Sequence, residues 1–374
     1  MISIEHHINE LKDYSTNLNN NEEAFLYSNL TLSLLYLLID CPEQAFESFD
    51  YVLKNIKKIK LISIQFGITH IAIISKIFNL KYGAYHKLNK QLTTILSNLL
   101  NNVTIETLNV DSLNGHFSVA RYLLNNSQNE EVNLQFFQKN KKIFLEDNFS
   151  KFNKSNSDLN EYEIAEFPMG YLDLGVPHGI AGTLFFLVDY YDTSEDEEAV
   201  VAIRKVISKL FDAYYHNEKP IIKGFLSNDK KVTVQDIKLK SEFFSWCYGT
   251  LGIANALNYS KRFLSTQEEY NLNTVLKYLE KKDITFNLEN HCFCHGSWGA
   301  LLIKKELDIL NNTDKNLLEQ LSTQNKSYSK VEEDSDIFSH IDGIASEIIC
   351  QYMLENSYKL SQDEKSLLKQ LLLI

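Results

Sequence analysis

The stretch GVPHGIAGTLFFL at 175–187 sets the pattern by which the rest of the chain is read: a short glycine-containing turn runs straight into an apolar helix. The same arrangement recurs as QFGITHIAII at 65–74, DSLNGHFSVARYLL at 111–124, CYGTLGIANAL at 247–257, CHGSWGALLI at 294–303 and HIDGIASEIIC at 340–350. YSNLTLSLLYLLI at 27–39 reads as a first copy without its glycines. From glycine to glycine the copies lie about 48, 64, 70, 47 and 47 residues apart, the length of one helical hairpin per repeat. Seven hairpins predict an all-α fold, an α/α toroid with the glycine-led apolar helices as the inner ring and amphipathic helices outside. Glycine at each inner helix start lets backbones crowd near the axis. The same glycines are also compatible with plain helix caps in an irregular bundle.

Working outward, Glu23–Ile39, Lys87–Leu100, Glu197–Tyr214 and Gln267–Leu279 place apolar residues at i, i+3, i+4 and i+7 and read as helices. Polar stretches at Asn153–Asn160 and Asn311–Lys315 read as loops between them. The basic run KNIKKIK at 54–60 has interleaved apolar residues and reads as the solvated face of an outer helix. Between Lys219 and Lys238 a Pro, a Gly, an Asn-Asp turn and the alternating VTV predict short strands instead. The expected organisation is one domain over 1–374, carrying a small strand-bearing insertion at 217–240.

Composition narrows the function. With 37 basic against 49 acidic residues the formal net charge is −12, which argues against nucleic acid or anionic lipid as the main partner. The N-terminus lacks the basic and apolar regions of a signal peptide, and no apolar run approaches a membrane span. A cytoplasmic protein is expected. Its five cysteines then read as reduced thiols, and clustered ones as metal ligands, ahead of disulfides.

Two glycine elements open with cysteine: Cys247 in SWCYG, and Cys294 with His295 in CFCHG. Two sulfurs and an imidazole suit tetrahedral zinc and leave one position open, as catalytic zinc sites do. Adjacent ligands diverge on a regular helix, and a turn relaxed by Gly296 removes that difficulty. On residue types alone, buried free cysteines remain an equal reading. Cys292 reads as packing or a spare ligand, and Cys41 and Cys350 as core thiols. His291 reads as a polar or outer-sphere residue and His340 as structural; His6, His7, His70, His86, His116 and His216 show no partner pattern.

In GVPHGIAG at 175–182, SWCYGTLG at 245–252 and CHGSWG at 294–299, together with DSLNG at 111–115 followed by ARYLL, the sequence resembles the lanthionine synthetase C (LanC) family of lanthipeptide cyclases. With the repeat pattern, the resemblance covers essentially the whole chain. It implies the α/α toroid, a zinc ion held by Cys247, Cys294 and His295, and catalytic or near-catalytic roles for Asp111, His178 and Tyr248. It implies Michael addition of a peptide Cys thiolate to dehydroalanine or dehydrobutyrine in a dehydrated precursor peptide. A dehydratase and an export transporter follow as partners, with the protein free in the cytoplasm or peripheral at the inner membrane face through a synthetase complex. Two departures stand out: Phe243 replaces an Arg that some members carry four residues before the zinc Cys, and Ser118 replaces a Gly.

The ligand set suits this chemistry. Two thiolates cancel the metal's charge, so a third keeps an anionic, electron-rich sulfur, whereas a three-His site favours water activation. His178 is expected as the acid for the α-carbon or as the base for the thiol. On its own, a satisfied core histidine would be the better reading. Asp111 is expected to orient the imidazole, and Tyr248 to donate to an enolate oxygen. Three alternatives stay open: addition of glutathione or another thiol in trans, a non-catalytic scaffold, and a zinc hydrolase.

Overall fold

The computed structural model describes residues 4–18, 21–126, 130–215, 219–229, 231–232, 244–284, 291–323 and 335–374. Seventeen α-helices and five short strands lie among them. Seven of the helices correspond to the repeat: α1 (Glu22–Leu38), α2 (Ile68–Tyr82), α3 (His116–Asn126), α4 (Ile180–Ser194), α5 (Thr250–Tyr259), α6 (Ser297–Glu306) and α7 (Ile344–Glu355). Each is followed by a second helix, giving the expected seven hairpins; the partners are Pro42–Lys54, His86–Asn101, Glu130–Asn140, Glu197–Phe211, Thr266–Glu280, Asn312–Thr323 and Gln362–Leu372.

The two helix types bury differently, and the residue pattern explains why. In α4 every residue from Ile180 to Tyr190 is buried, as expected of a helix apolar on all sides. Its partner buries only Ala199, Ala202, Ile203, Val206, Ile207 and Leu210, the single stripe of an amphipathic helix. Glycine is required by close approach within the repeat. A Cβ on Gly182 would lie 1.9 Å from the Val176 carbonyl oxygen. Where the repeat carries Ser118 instead, the buried hydroxyl turns back to the Gly115 carbonyl at 2.7 Å.

The helices gather into two compact units. One comprises Met1–Leu92, Ile284–Lys305 and Leu310–Leu372 and contains α1, α2, α6 and α7. Inside it Lys304 and Asp314, both fully buried, form an ion pair. The other comprises Thr93–Asp283, Glu306–Ile309 and Leu373–Ile374 and contains α3, α4 and α5. Here Asp189 on α4 accepts from Arg121 Nε (3.0 Å) and Asn125 (2.9 Å) of α3 and from Tyr259 of α5, tying three helices through one buried carboxylate.

The strands belong to the second unit. β1 (Asn153–Lys154), β2 (Tyr171–Asp173) and β5 (Phe225–Ser227) form an antiparallel sheet in the order β1-β2-β5, and β3 (Tyr214–Tyr215) pairs with β4 (Ile221–Ile222). The strand-bearing segment therefore recruits residues before position 217 as well. Of VTV at 232–234 only Val232 is described, in a bend; the rest, and Phe243, lie outside the described residues.

Two local expectations are corrected. Asn311–Lys315 is the start of a helix: Asn311 accepts from the Asp314 amide at 2.8 Å and Asp314 accepts from the Asn311 amide at 3.0 Å, a reciprocal cap that overrides the loop-like composition. The basic run at 54–60 ends a helix at Lys54 and continues as a 3-10 turn over Ile56–Lys58, with Lys58 paired to Glu22 at 2.8 Å.

Candidate active site

Three loops of the second unit converge at the starts of its inner helices. Ser112 donates its amide to the Pro177 carbonyl at 2.8 Å, and Val176 donates to the Cys247 carbonyl at 2.8 Å. Leu174 donates to Gly224 at 2.9 Å. The segments around Asp111, His178 and Cys247–Tyr248 are thus bound into one platform by backbone hydrogen bonds, which fix side chains more closely than free loops would.

On this platform His178 Nδ1 donates to Asp111 Oδ2 at 2.6 Å. The other oxygen, Oδ1, accepts the amides of Leu113 and Asn114, both at 2.7 Å. The carboxylate is therefore clamped by its own turn before it meets the imidazole. Burial works against charge on His178, yet the hydrogen bond and charge of Asp111, with the charge of Asp173, outweigh it and raise its pKa. Nδ1 is committed to Asp111, and the side chain is 38% exposed, which leaves Nε2 as the nitrogen able to reach a substrate.

A second carboxylate supports Tyr248. Asp173, fully buried at the end of β2, accepts the Gly175 amide at 2.9 Å on Oδ1 and the Tyr248 hydroxyl at 3.3 Å on Oδ2. Burial pushes its pKa up from 3.8 to about 6. Burial, followed by the Asp173 charge, drives Tyr248 well above the usual phenol range, so it holds its proton at neutral pH. Its ring stacks on Phe225 at 4.8 Å, against a small core of Phe167, Tyr171 and Phe225. Asp173 was not anticipated from the sequence. The local signal was an Asp two residues before Gly175, an Asx-type turn; the contact with Tyr248, 75 residues away, had none.

The remaining candidates divide between the units. Cys247, buried, stands in the second unit immediately before Tyr248 and two residues ahead of Gly249, the cap of α5. Cys294 and His295 stand in the first unit, in the turn before α6. That turn is fixed by the Cys294 amide donating to Ile341 (2.9 Å) and the Phe293 amide donating to the Ser346 hydroxyl (2.9 Å). Gly296 is obligatory there, since a Cβ would lie 2.2 Å from the Cys292 amide nitrogen. The tight turn brings Cys294 Sγ within 3.6 Å of His295 Nε2, so these adjacent residues do present their donors to one point.

Cys292 helps to shape the turn, its buried sulfur accepting the His295 amide at 3.4 Å. One donor each from Cys292, His295 and Asp342 lie within 4.8 Å of one another, and Asp342 was not singled out from sequence. His291 pairs with Ser297 at 3.1 Å. Cys350 is fully buried and Cys41 only partly so; all five cysteines are free thiols. His70 and His340, both fully buried, pack edge to face with ring centroids 4.8 Å apart. No helix among the described residues is long and apolar enough to cross a membrane.

Residues 34–365 match the family described as "Lanthionine synthetase C-like protein". The nisin biosynthesis protein NisC of Lactococcus lactis subsp. lactis is 26% identical over 216 residues, which are 55% of this chain and 50% of that protein; the match thus spans half the relative's length. Among solved structures, one titled nisin cyclase superposes with a TM-score of 0.72 at 17% identity, covering 99% of this chain and 96% of that one. At that identity the likeness carries the fold, and with it the α/α toroid class expected from the repeat.

Proposed function

Because the chain belongs to the lanthionine synthetase C-like family, we propose that it is a zinc-dependent lanthipeptide cyclase. It would close thioether rings by adding a Cys thiolate of a dehydrated precursor peptide to a dehydroalanine or dehydrobutyrine of the same peptide. The observation that carries the reading is the platform of the second unit. There an imidazole–carboxylate pair at 2.6 Å and a carboxylate-held phenol are joined through backbone to the loop of a buried cysteine.

Cys247, Cys294 and His295 would hold the zinc ion. The donor chemistry fits: two sulfurs and an imidazole nitrogen are a soft set that leaves a fourth position. Within the first unit a competing group, Cys292, His295 and Asp342, also gathers donors within 4.8 Å of one another. It needs the Cys292 sulfur, already accepting a backbone amide, and a harder carboxylate. When bound, zinc supplies a Lewis acid that keeps the incoming peptide thiol deprotonated at neutral pH.

The chain's own residues handle the proton. Addition of sulfur to the β-carbon generates an enolate that takes a proton at the α-carbon. His178 is the donor: Asp111 raises its proton affinity, which favours the imidazolium and hence the acid role over the base role. Asp111 also fixes which nitrogen is committed, so Nε2 delivers the proton. Tyr248 already donates to Asp173. Donation to an enolate oxygen therefore requires that hydroxyl to turn away, or Asp173 to carry a proton itself, which its raised pKa makes accessible.

A dehydratase and an exporter belong to the same proposal as partners, with the work done in the cytoplasm. Metal analysis of the purified chain tests the ligand assignment: about one zinc per chain is expected, and a large loss in Cys294→Ala and Cys247→Ala but not in Cys350→Ala. Full zinc retention in Cys247→Ala would refute the assignment.

A further inference from the structure

His295 has a different neighbour at each ring nitrogen. Nε2 lies 3.6 Å from Cys294 Sγ. A tetrahedral zinc ion bonded at about 2.3 Å to sulfur and about 2.0–2.1 Å to nitrogen holds those two atoms about 3.5 Å apart. The turn before α6 thus already sets the pair at the spacing of two ligands. The opposite nitrogen, Nδ1, lies 3.8 Å from Asp342 Oδ1. A metal ion takes one nitrogen of a ring, so binding at Nε2 leaves the proton on Nδ1, where it needs an acceptor.

The backbone around Asp342 holds it beside that nitrogen. Asp342 precedes Gly343, the cap of α7. Ser339 Oγ accepts the amides of Ile341 (3.2 Å) and Asp342 (3.1 Å) and a further hydrogen bond from Gln65 Nε2 (3.0 Å). The Ile341 carbonyl in turn accepts the Cys294 amide at 2.9 Å. This bond ties the loop before α7 to the turn before α6, both within the first unit. Asp342 is one residue beyond the tie on one side and His295 one residue beyond it on the other.

The carboxylate of Asp342 is otherwise uncommitted: among the described residues its one ion-pair contact is His295. At 3.8 Å that contact is longer than a hydrogen bond. Both side chains are about half exposed, so rotation of the carboxylate about its own side-chain bonds can close the gap. Direct ligation by Asp342 fits less well. It would enlist the Cys292 sulfur, which is buried and already accepts the His295 amide at 3.4 Å.

We propose that Asp342 is a positioning residue for the metal site, accepting the Nδ1 proton of His295 and so holding Nε2 toward the ion. The role rests on the zinc site proposed above and deepens it by one outer carboxylate. Such a group behind a ligating imidazole fixes its tautomer and orientation, and makes the metal-facing nitrogen a stronger donor.

Zinc affinity of the full-length chain, measured by competition with a fluorescent chelator, tests this without any peptide substrate. Asp342→Ala should weaken zinc binding about tenfold to a hundredfold. Asp342→Asn, nearly isosteric and still offering an oxygen but no charge, should fall between that variant and wild type, and Asp342→Glu should recover most of the loss. With Co(II) in place of zinc, wild type and Asp342→Ala should show the same thiolate charge-transfer intensity, because the sulfur ligands are unchanged. An Asp beside a helix N-terminus also favours the helix. A role confined to that would lower the melting temperature of the metal-free chain and leave zinc affinity unmoved. Equal zinc affinity in wild type, Asp342→Asn and Asp342→Ala would therefore overturn the positioning role while the zinc site itself stands. Equally large losses in Cys292→Ser and Asp342→Ala would make both residues direct ligands and overturn it as well. No zinc bound by the wild type would overturn the site and the role together.

Discussion

Replacing Asp111 by Asn separates the two jobs of that side chain. Oδ1 caps the amides of Leu113 and Asn114 at 2.7 Å, and Asn retains that oxygen. Oδ2 takes the His178 proton at 2.6 Å, and the amide NH₂ that replaces it has no lone pair to offer. The platform should therefore stay folded while the imidazole loses its anionic partner. A hydrogen bond to a charged group contributes about 1.5–3 kcal/mol. Since the His178 side chain is 38% exposed, solvent screening places the loss near the lower end, about tenfold in ring-closure rate. The sign with pH follows. Asp111 raises the His178 pKa, so an acid role extends activity to higher pH, and Asp111→Asn should move the alkaline limb of the rate profile to lower pH. The assay is ring closure of a model peptide holding one dehydroalanine and one Cys, followed across pH, with NMR titration of the imidazole alongside. An unmoved limb with an unchanged rate would refute the acid role; zinc loss in the variant would make Asp111 a structural residue only.

Asp173→Asn should slow ring closure about threefold to tenfold at unchanged KM, because it weakens the hold on Tyr248; a change in KM alone would count against that positioning role. His70 and His340 are held neutral by burial, His340 with its pKa lowered to about 3. The unfolded chain therefore binds protons first, and their contribution to stability is complete above about pH 6.5 and is lost as pH falls toward 3. His340→Leu should flatten urea-unfolding stability below about pH 6.5, by up to roughly 1.4 kcal/mol per pH unit; an identical slope would contradict it. Lys304→Ala leaves Asp314 buried without its cation and should cost about 3–5 kcal/mol in thermal or urea unfolding, while a change below about 1 kcal/mol would show that the pair contributes little.

The hairpin repeat was legible because two physical rules leave marks in sequence. A helix buried on all sides must be mostly apolar, as over Ile180–Val188, and its crowded start admits only glycine, as at Gly296. The cysteines that open such turns were visible for the same reason. Less legible were features made by pairing across distance. The sheet joins Tyr171–Asp173 to Phe225–Ser227 and Asn153–Lys154, segments of two or three residues too short to show alternation. Asp173 touches Tyr248 only because those segments pair. The cap at Asn311 was hidden by composition, since Asn and Asp serve both loops and helix starts. His70 and His340 carried no local signal either, because each is defined by the other across 270 residues.

The central claim is ring formation, and mass spectrometry of a dehydrated precursor co-expressed with this chain, after thiol alkylation, tests it most directly. Addition within one peptide conserves mass and consumes a thiol. The account predicts unchanged precursor mass with loss of alkylatable cysteines, restored when Cys294→Ala replaces the wild type. Cysteines that remain fully alkylatable beside the zinc-loaded wild-type protein would contradict it, as would an added thiol mass without rings.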